Sequence, residues 1–331
     1  MPYSPPAPTP PAFLAASPLA PGGQAALAAA QGYARQSLSA ATRRAYAADW
    51  DDFAAWCTVA GWGALPAAPA AVAAYLAALA PSHAASTIRR RLVAIGQAHR
   101  LAGQEWVPGH PAIRATLRGI LRAHGAPARQ ASALTTADIR RLLATCDDGL
   151  TGLRDRALLL LGYAGALRRA ELVAVEREHL RFTIEGLRLL IPRSKGDQEG
   201  QGAEIGIPRG ARRASCPVRA MEDWLAASNC AFGPVFRRID IWGVIDSRAL
   251  HPDAVRQILR RRAEAAGFLV TAGQRISPHS LRAGFVTEAY KAGARDEQIM
   301  EHTRHRDLRT MRGYVRRAKL LSGSPAGLLG L

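Results

Sequence analysis

The stretch ALLLLGYAGALRRAEL, residues 157–172, joins the longest clean apolar run of the chain to a pair of arginines. The apolar part is shorter than the roughly 18 residues of a membrane span, so it predicts a buried helix. Arg168 and Arg169 follow where the chain has just been buried, and a partly desolvated guanidinium needs an anionic partner. That partner is either Glu171, in an intramolecular ion pair, or a bound phosphate.

The 331-residue chain is strongly basic, with 44 Lys and Arg against 26 Asp and Glu and a formal net charge of +18. This imbalance makes a polyanion, above all nucleic acid, the leading partner. The four cysteines are scattered, which fits neither a disulfide scaffold nor a zinc site and agrees with a reducing cytoplasm. The sequence shows no membrane span, secretory signal, P-loop or metal cluster.

The N-terminal part of the chain changes composition near residue 36. Residues 1–35 are rich in proline and alanine and carry one charge, so we expect a disordered arm. Residues 36–128 are expected to form a helical domain, because apolar side chains recur there at helical spacing. Two such sets are Tyr46, Trp50, Phe53 and Cys57, and Ile88, Leu92, Ile95 and His99.

A second, mostly helical domain is expected to begin after a boundary near residue 130. Thr135 and Asp138 are typical of a capping box that starts a new helix. The segment FTIEGLRLLIPRSKGDQEGQGAEIGIP, residues 182–208, contains alternating apolar residues, a turn and a polar loop, which predict a three-stranded meander. The predicted fold class is therefore mainly α with a small three-stranded antiparallel sheet.

The segment SPHSLR, residues 277–282, has the signature of a helix start. Ser277 is a favoured N-cap and Pro278 a favoured first helical residue. His279 and Arg282 then lie on one face near the helix N-terminus, where free N–H groups attract anions. The pair is either a phosphate site or an ordinary surface pair.

Lys195 lies in the polar loop RSKGDQEG between two predicted strands. Only three of the 44 cationic residues are lysines, so a retained lysine is more informative than an arginine. Lysine can release a proton near neutral pH when its surroundings are tuned, whereas arginine cannot. Lys195 is either a general acid or a solvated loop residue.

Tyr314 lies within HTRHRDLRTMRGYVRR, residues 302–317. Asp307 is expected to cap a helix whose inward side chains are Leu308, Met311 and Val315. Tyr314 would then lie at the edge of the apolar face. It is either a packed core residue or a tyrosine whose hydroxyl lies near cations, which lower the cost of forming a phenolate.

In chain order, these features resemble the tyrosine recombinase (phage integrase) family over about residues 36–320. The shared pattern is LRRAEL, a lysine in a β-hairpin loop, His-x-x-Arg, a second histidine and a tyrosine nine residues after it. The resemblance implies a two-domain enzyme of the Cre or Xer type. Residues 36–128 would be its helical core-binding domain and residues 132–320 its catalytic domain, together forming a C-shaped clamp on DNA.

The resemblance implies site-specific recombination that serves integration, excision or resolution, without a metal or cofactor. By position, the family's catalytic residues are Tyr314, Arg168, Lys195, His279, Arg282 and His305, with Glu171 as acidic support. Tyr314 would be the nucleophile that forms a 3′-phosphotyrosine link. Arg168 and Arg282 would hold the scissile phosphate, and Lys195 would protonate the leaving 5′ oxygen.

The two histidines of the pattern would have different roles. The resemblance implies that His279 assists proton transfer from the nucleophile and that His305 hydrogen-bonds the phosphate. His302 is a competing candidate, but it is twelve residues from Tyr314 rather than nine. Arg304 stands where the family commonly has glycine, so the local backbone geometry is left open.

The expected partners are double-stranded DNA and further copies of the chain, in a tetramer on two DNA sites. The arginines expected to contact DNA are Arg89, Arg90, Arg114, Arg118, Arg122, Arg256 and Arg260. Three of them recur every four residues opposite an apolar helix face, which is either a phosphate-binding stripe or a solvated face. Residues 321–331 would dock on a neighbouring subunit or fray.

Two other functions fit parts of the pattern. A type IB topoisomerase uses similar chemistry to relax DNA, and a DNA-binding protein without cleavage activity would share the basic charge. The short chain and its apolar C-terminus favour the recombinase over the former, and the complete catalytic set favours it over the latter. The expected location is the bacterial cytoplasm.

Overall fold

The computed structural model describes residues 20–126, 131–194, 197, 201–268, 276–318 and 329. The chain folds into two compact units, Met1–Ala128 and Arg129–Leu331. Both units are mainly helical, and the second contains a three-stranded antiparallel sheet, so the predicted fold class is confirmed. No helix among these residues is long and apolar enough to cross a membrane.

The N-terminal unit contains five helices among the described residues, and the apolar faces of the last four meet in one core. Their bounds are α1 Pro21–Gln36, α2 Ala40–Ala60, α3 Pro69–Leu79, α4 Ala85–Leu101 and α5 Pro111–His124. Phe53 and Cys57 of α2 and Ile88 and Ile95 of α4 are fully buried in this core, as their spacing predicts. Helix α2 begins at Ser39, whose side chain accepts a hydrogen bond from a backbone N–H.

Helix α1 occupies the last part of the expected disordered arm, residues 1–35. The prolines that suggested disorder end at Pro21, which occupies the start of the helix, where its missing N–H costs no hydrogen bond. The following residues are rich in alanine, the strongest helix former. Residues 1–19 of the expected arm lie outside the described residues.

The C-terminal unit is built around the apolar helix that contains residues 157–164. Its helices are α6 Thr136–Ala144, α7 Leu150–Ala164, α8 Arg169–Val173, α9 Pro217–Ala227, α10 Pro252–Ala265, α11 Pro278–Lys291, α12 Asp296–Thr303 and α13 Leu308–Ala318. Leu158, Leu159 and Leu161 of α7 are fully buried in the main core of this unit. The predicted capping box of Thr135 and Asp138 starts α6.

The predicted meander forms a sheet in the order β1–β2–β3. Its strands are β1 Leu180–Phe182, β2 Gly186–Ile191 and β3 Ala203–Pro208, all antiparallel. Leu189 pairs with Leu180 on one side and with Ile205 on the other, and all three are buried. A second antiparallel pair, which the sequence analysis did not predict, joins β4 Arg237–Ile239 to β5 Ile245–Ala249.

Helices α11, α12 and α13 share a small core that is separate from the main one. It contains Ala283, Val286, Ile299, Met311, Tyr314 and Val315. Asp307 caps α13 by accepting hydrogen bonds from the N–H groups of Arg309 and Thr310, as predicted. Leu308 is 37 % exposed, so its expected burial is wrong: it is the first residue of α13, one turn before the buried Met311, and lies at the exposed end of the helix.

Candidate active site

Tyr314 is held against His279 by two helices of the same chain. Helix α11 begins at Ser277 and Pro278, as predicted, and places His279 in its first turn. Tyr314, on α13, is 9 % exposed, and its Oη lies 2.5 Å from Nε2 of His279. The tyrosine is therefore both a core residue and a hydroxyl in contact with a base.

Arg282 lies one helical turn further along α11 and is 1 % exposed. Its Nη1 donates a hydrogen bond of 2.6 Å to the carbonyl of Ala166, and its Nη2 donates one to the carbonyl of Thr303. These carbonyls lie at the C-terminal ends of α7 and α12, where helix dipoles favour a cation. Burial, together with the charges of Arg168 and Arg304, lowers the pKa of Arg282 to about 9, so it remains charged at neutral pH.

A second pair of guanidinium groups shares the carboxylate of Glu171. Oε1 accepts a hydrogen bond of 2.6 Å from Nη1 of Arg168, and Oε2 accepts one of 3.0 Å from Nη2 of Arg304. The backbone N–H of Arg168 also donates to Oε2, at 2.9 Å. Burial alone would raise the pKa of Glu171, but these hydrogen bonds and positive charges hold it below its ordinary value.

His305 lies in the turn between α12 and α13. Its Nδ1 is 2.6 Å from Oγ1 of Thr303, and its ring centroid is 6.1 Å from that of Tyr314. Burial and the nearby charges of Arg282 and Arg168 lower the pKa of His305 to about 4. The ring is therefore neutral at physiological pH.

The cluster has an excess of positive charge. Arg168, Arg282 and Arg304 interact electrostatically with one another around the carboxylate of Glu171. Charges of like sign are held together in a partly buried place only when an anion offsets them. The arrangement is that of an anion site beside a tyrosine hydroxyl.

Two residues considered in the sequence lie apart from this cluster, and two further expectations fall outside the described residues. Arg169 does not join the cluster but pairs with Asp253 at 2.6 Å on the surface. The ring of His302 hydrogen-bonds the carbonyl of Ala164 and stacks on Phe285, so its role is packing. Lys195 and residues 321–331, apart from the exposed Leu329, lie outside the described residues.

The arginines expected to contact DNA are exposed, but some already have acidic partners. Arg90 makes two hydrogen bonds, of 2.7 and 2.9 Å, to the buried carboxylate of Asp49, and Arg260 pairs with Glu264 at 3.1 Å. The remaining five, all exposed, are Arg89, Arg114, Arg118, Arg122 and Arg256. Contact of these side chains with DNA stays a prediction.

Sequence reasoning missed the contributions of Thr303 and Arg304. Arg304 was noted only because it replaces a common glycine, and Thr303 was not singled out. The structure brings both to the cluster through the turn after α12, where Arg304 has a left-handed backbone with φ 57°. The signal that could have identified Arg304 is a charged residue at the position where the family pattern commonly has glycine.

Comparison with known proteins assigns this chain to a family. The model of the phage integrase family matches residues 132–320. An "Integrase/recombinase xerD homolog" of Selenomonas ruminantium is 35 % identical over 284 residues, which cover 84 % of this chain and 82 % of that protein. "Recombinase cre" of Escherichia phage P1 is 26 % identical over 317 residues, covering 89 % of each chain.

Solved structures share the fold at low sequence identity. The post-cleavage complex of the XerH site-specific recombinase with palindromic difH substrate has a TM-score of 0.57 and 15 % identity, covering 78 % of this chain and 72 % of that one. A lambda integrase(75–356) dimer bound to a COC′ core site has a TM-score of 0.54 and 17 % identity, covering 84 % and 89 %. These likenesses extend over both units of the chain.

The relatives do not favour a relaxing topoisomerase or a DNA-binding protein without cleavage activity. The geometry, the family model and the relatives agree with the resemblance found in the sequence. The chain belongs to the phage integrase family and is a tyrosine recombinase, an enzyme of site-specific recombination that cleaves and rejoins DNA.

Proposed function

We propose that Tyr314 is the nucleophile and that it cleaves DNA in the active site of its own chain. The observation that carries the proposal is the 2.5 Å contact between its Oη and Nε2 of His279, within one polypeptide. Both residues are placed by α11 and α13, which pack on each other through a shared core. No second copy is needed to bring the hydroxyl to the base.

In the proposed cleavage each of these groups has one role. Tyr314 Oη attacks the scissile phosphorus, a bond forms between that oxygen and phosphorus, and the bond from phosphorus to the 5′ oxygen breaks. His279 takes the phenolic proton, while Lys195, by its place in the family pattern, returns a proton to the leaving 5′ oxygen. Rejoining is the reverse reaction, with a 5′ hydroxyl as the nucleophile.

The net charge of the cluster determines whether it binds the intact phosphodiester or the transition state more tightly. Among the described residues of the cluster, and leaving Lys195 aside, three guanidinium groups and the carboxylate of Glu171 sum to two positive charges when His305 is neutral. A phosphodiester offsets one of them, and the pentavalent transition state, with its additional charge, offsets both. The cluster is therefore more complementary to the transition state than to intact DNA.

We also propose that four copies act together on two DNA sites. One chain contributes one Tyr314 and therefore cuts one strand, whereas exchange between two duplexes requires four cuts. Residues 36–128 would bind the duplex as the core-binding domain, and residues 132–320 would perform the chemistry. A DNA substrate and a bacterial relative favour the cytoplasm as the place of action.

Trapping of the covalent intermediate tests the proposed nucleophile. The enzyme is incubated with a nicked substrate that carries its site, selected by binding from a random DNA pool, so that the short cleaved fragment diffuses away. A covalent complex with a free 5′ hydroxyl on the released fragment is expected. Tyr314→Phe should form no complex while still binding DNA, because only the reacting oxygen is removed.

Tyr33→Phe is the matched control, since Tyr33 is 75 % exposed on α1. It should form the complex at the wild-type rate. Covalent complex formation by Tyr314→Phe would refute the assignment. Mixing Tyr314→Phe with a chain that lacks Arg282 tests cleavage within one chain, because restored cleavage would show that tyrosine and arginine come from different copies.

A further inference from the structure

Arg304 occupies a backbone conformation that does not suit it. It is the residue that ends α12, with φ 57° and ψ 42°, in the left-handed region. A side chain in this region costs free energy that glycine does not pay, which accounts for the glycine that the family pattern has here. Only the contacts of its side chain can offset this cost.

The side chain of Arg304 is directed into the cluster rather than into solvent. It is 10 % exposed, its Nη1 donates to the carbonyl of His302 at 2.9 Å, and its Nη2 donates to Oε2 of Glu171 at 3.0 Å. Its Nε is buried without a hydrogen-bond partner among the residues that the structure describes. A guanidinium is seldom buried in this way unless its charge is used.

The two oxygens of Glu171 are divided between two arginines. Oε2 is bound by Arg304 and by the backbone N–H of Arg168, neither of which has to move when a phosphate arrives. Oε1 is bound by Nη1 of Arg168, whose side chain is 27 % exposed and thus accessible to a ligand. If the side chain of Arg168 turns toward a phosphate, the carboxylate of Glu171 is still paired with the guanidinium of Arg304.

We propose that Arg304 is a positioning residue of this recombinase: it neutralises Glu171 through Oε2 and thereby leaves the guanidinium of Arg168 available to the scissile phosphate. The inference rests on the proposed function of the cluster. Without Arg304, the carboxylate of Glu171 has Arg168 as its only hydrogen-bonded cationic partner among the described residues and competes with the phosphate for it. The scissile phosphate is then held less well as charge builds up on its oxygens.

The test replaces Arg304 with glycine, which suits the backbone conformation, and with lysine, which keeps the charge. The rate of covalent cleavage is measured at saturating nicked substrate, and DNA affinity is measured separately. Arg304→Gly is expected to lower the cleavage rate at least about tenfold, with a change in Kd of less than about threefold, as for one charge-assisted hydrogen bond lost in the transition state. Arg304→Lys should recover part of the rate.

A double-mutant cycle shows whether Arg304 acts through Glu171. Glu171→Gln removes the carboxylate charge that competes for Arg168, so adding Arg304→Gly to it should slow cleavage by less than about threefold. A matched backbone control is Asn229→Gly, because Asn229 also has a positive φ, of 47°, and is exposed away from the cluster. It should cleave at the wild-type rate.

Two results would overturn the proposal. One is a wild-type cleavage rate in Arg304→Gly, which would leave Arg304 as a helix cap alone. The other is a rate loss in the double variant that equals the product of the losses in Arg304→Gly and Glu171→Gln. Such a product would mean that Arg304 acts independently of Glu171. Neither result bears on the nucleophile, because wild-type cleavage through Tyr314 is measured in the same assay.

Discussion

Nδ1 of His305 donates a hydrogen bond to Oγ1 of Thr303 over 2.6 Å. The direction is fixed by a third group, since the hydroxyl of Thr303 donates its one proton to the carbonyl of Ile299, also at 2.6 Å. Neutral His305 therefore carries its proton on Nδ1, and its Nε2 carries none. It can donate to a phosphate through Nε2 only after it has taken up a second proton.

We therefore predict that Thr303→Val changes the tautomer of His305. Valine has the shape of threonine but no acceptor, so the proton is no longer held on Nδ1 and the Nε2–H form becomes populated. Nitrogen chemical shifts of the labelled histidine ring distinguish the two forms. A ring that stays in the Nδ1–H form in the variant would contradict the assigned hydrogen bond.

The low pKa of His305 predicts a loss of stability in acid. Because its pKa in the folded chain is about 4, below the ordinary value of 6.5, the unfolded chain binds the proton first as the pH falls. Stability should therefore decrease between about pH 6.5 and 4, and His305→Gln should reduce this decrease. Part of this decrease should remain in the variant, because burial also lowers the pKa of His302. Urea denaturation at several pH values measures the free energy of unfolding.

Bound DNA should reverse this effect on His305. A phosphodiester in the cluster offsets the charges of Arg282 and Arg168 that help to lower the pKa. In Tyr314→Phe bound to its site, the pKa of His305 should rise above 4, as followed by the same ring shifts. An unchanged pKa in the complex would place the phosphate elsewhere.

The carboxylate of Asp155 is predicted to be a major contributor to stability. It is fully buried and binds three arginines, Arg154, Arg261 and Arg262, at 2.6 to 2.8 Å. Asp155→Asn removes the charge that these side chains share and should lower the free energy of unfolding by about 3–5 kcal/mol. Asp253→Ala breaks the exposed pair with Arg169 and should cost less than about 1 kcal/mol. Equal losses in urea denaturation would contradict this ranking.

Gly284 is predicted to be intolerant of any side chain. A Cβ at this position of α11 would lie 1.9 Å from the carbonyl oxygen of Leu134, and backbone cannot move aside as a flexible side chain can. Gly284→Ala should therefore destabilise the protein by about 2 kcal/mol or more and also slow cleavage, since α11 carries His279 and Arg282. Gly119→Ala has open space around it and should be stabilising by about 0.5–1 kcal/mol.

The exposed arginines of α5 are predicted to bind the DNA backbone. Replacing Arg114, Arg118 and Arg122 together with alanine should weaken binding to all sequences alike and reduce the salt dependence by about 0.9 in log–log slope per lost phosphate contact. Arg213→Ala is the control, because Arg213 is an exposed arginine, 75 % accessible, outside the set. A loss confined to one sequence would indicate contact with bases instead.

The periodic and capped parts of the chain were predictable from sequence. Phe53 and Ile88 mark buried helix faces because burial repeats every three or four residues. Thr135 marks a helix start because its side chain accepts a hydrogen bond from the N–H of Asp138, and Ser277 marks another because proline follows it as the first helical residue. The position of Tyr314 at the edge of an apolar face was predictable for the same reason.

Contacts between distant parts of the chain were not predictable from local pattern. The sequence left open whether the partner of Arg168 or Arg169 is Glu171 or a bound phosphate. The structure pairs Arg168 with Glu171 and adds Arg304, 133 residues away, as a second partner of this carboxylate. Likewise, Arg282 depends on the carbonyls of Ala166 and Thr303, which any residue type could supply. Such pairings depend on tertiary packing and leave no periodic trace.

The separate core around Tyr314 has a consequence for cooperativity. The side chains that hold α13, among them Met311 and Val315, belong to the small cluster with α11 and α12, whereas α7 and the sheet belong to the large one. A segment whose buried contacts are few can open locally at a lower free energy than the domain as a whole. The proposed nucleophile is thus attached to the part of the domain best suited to detach and return while the rest stays folded.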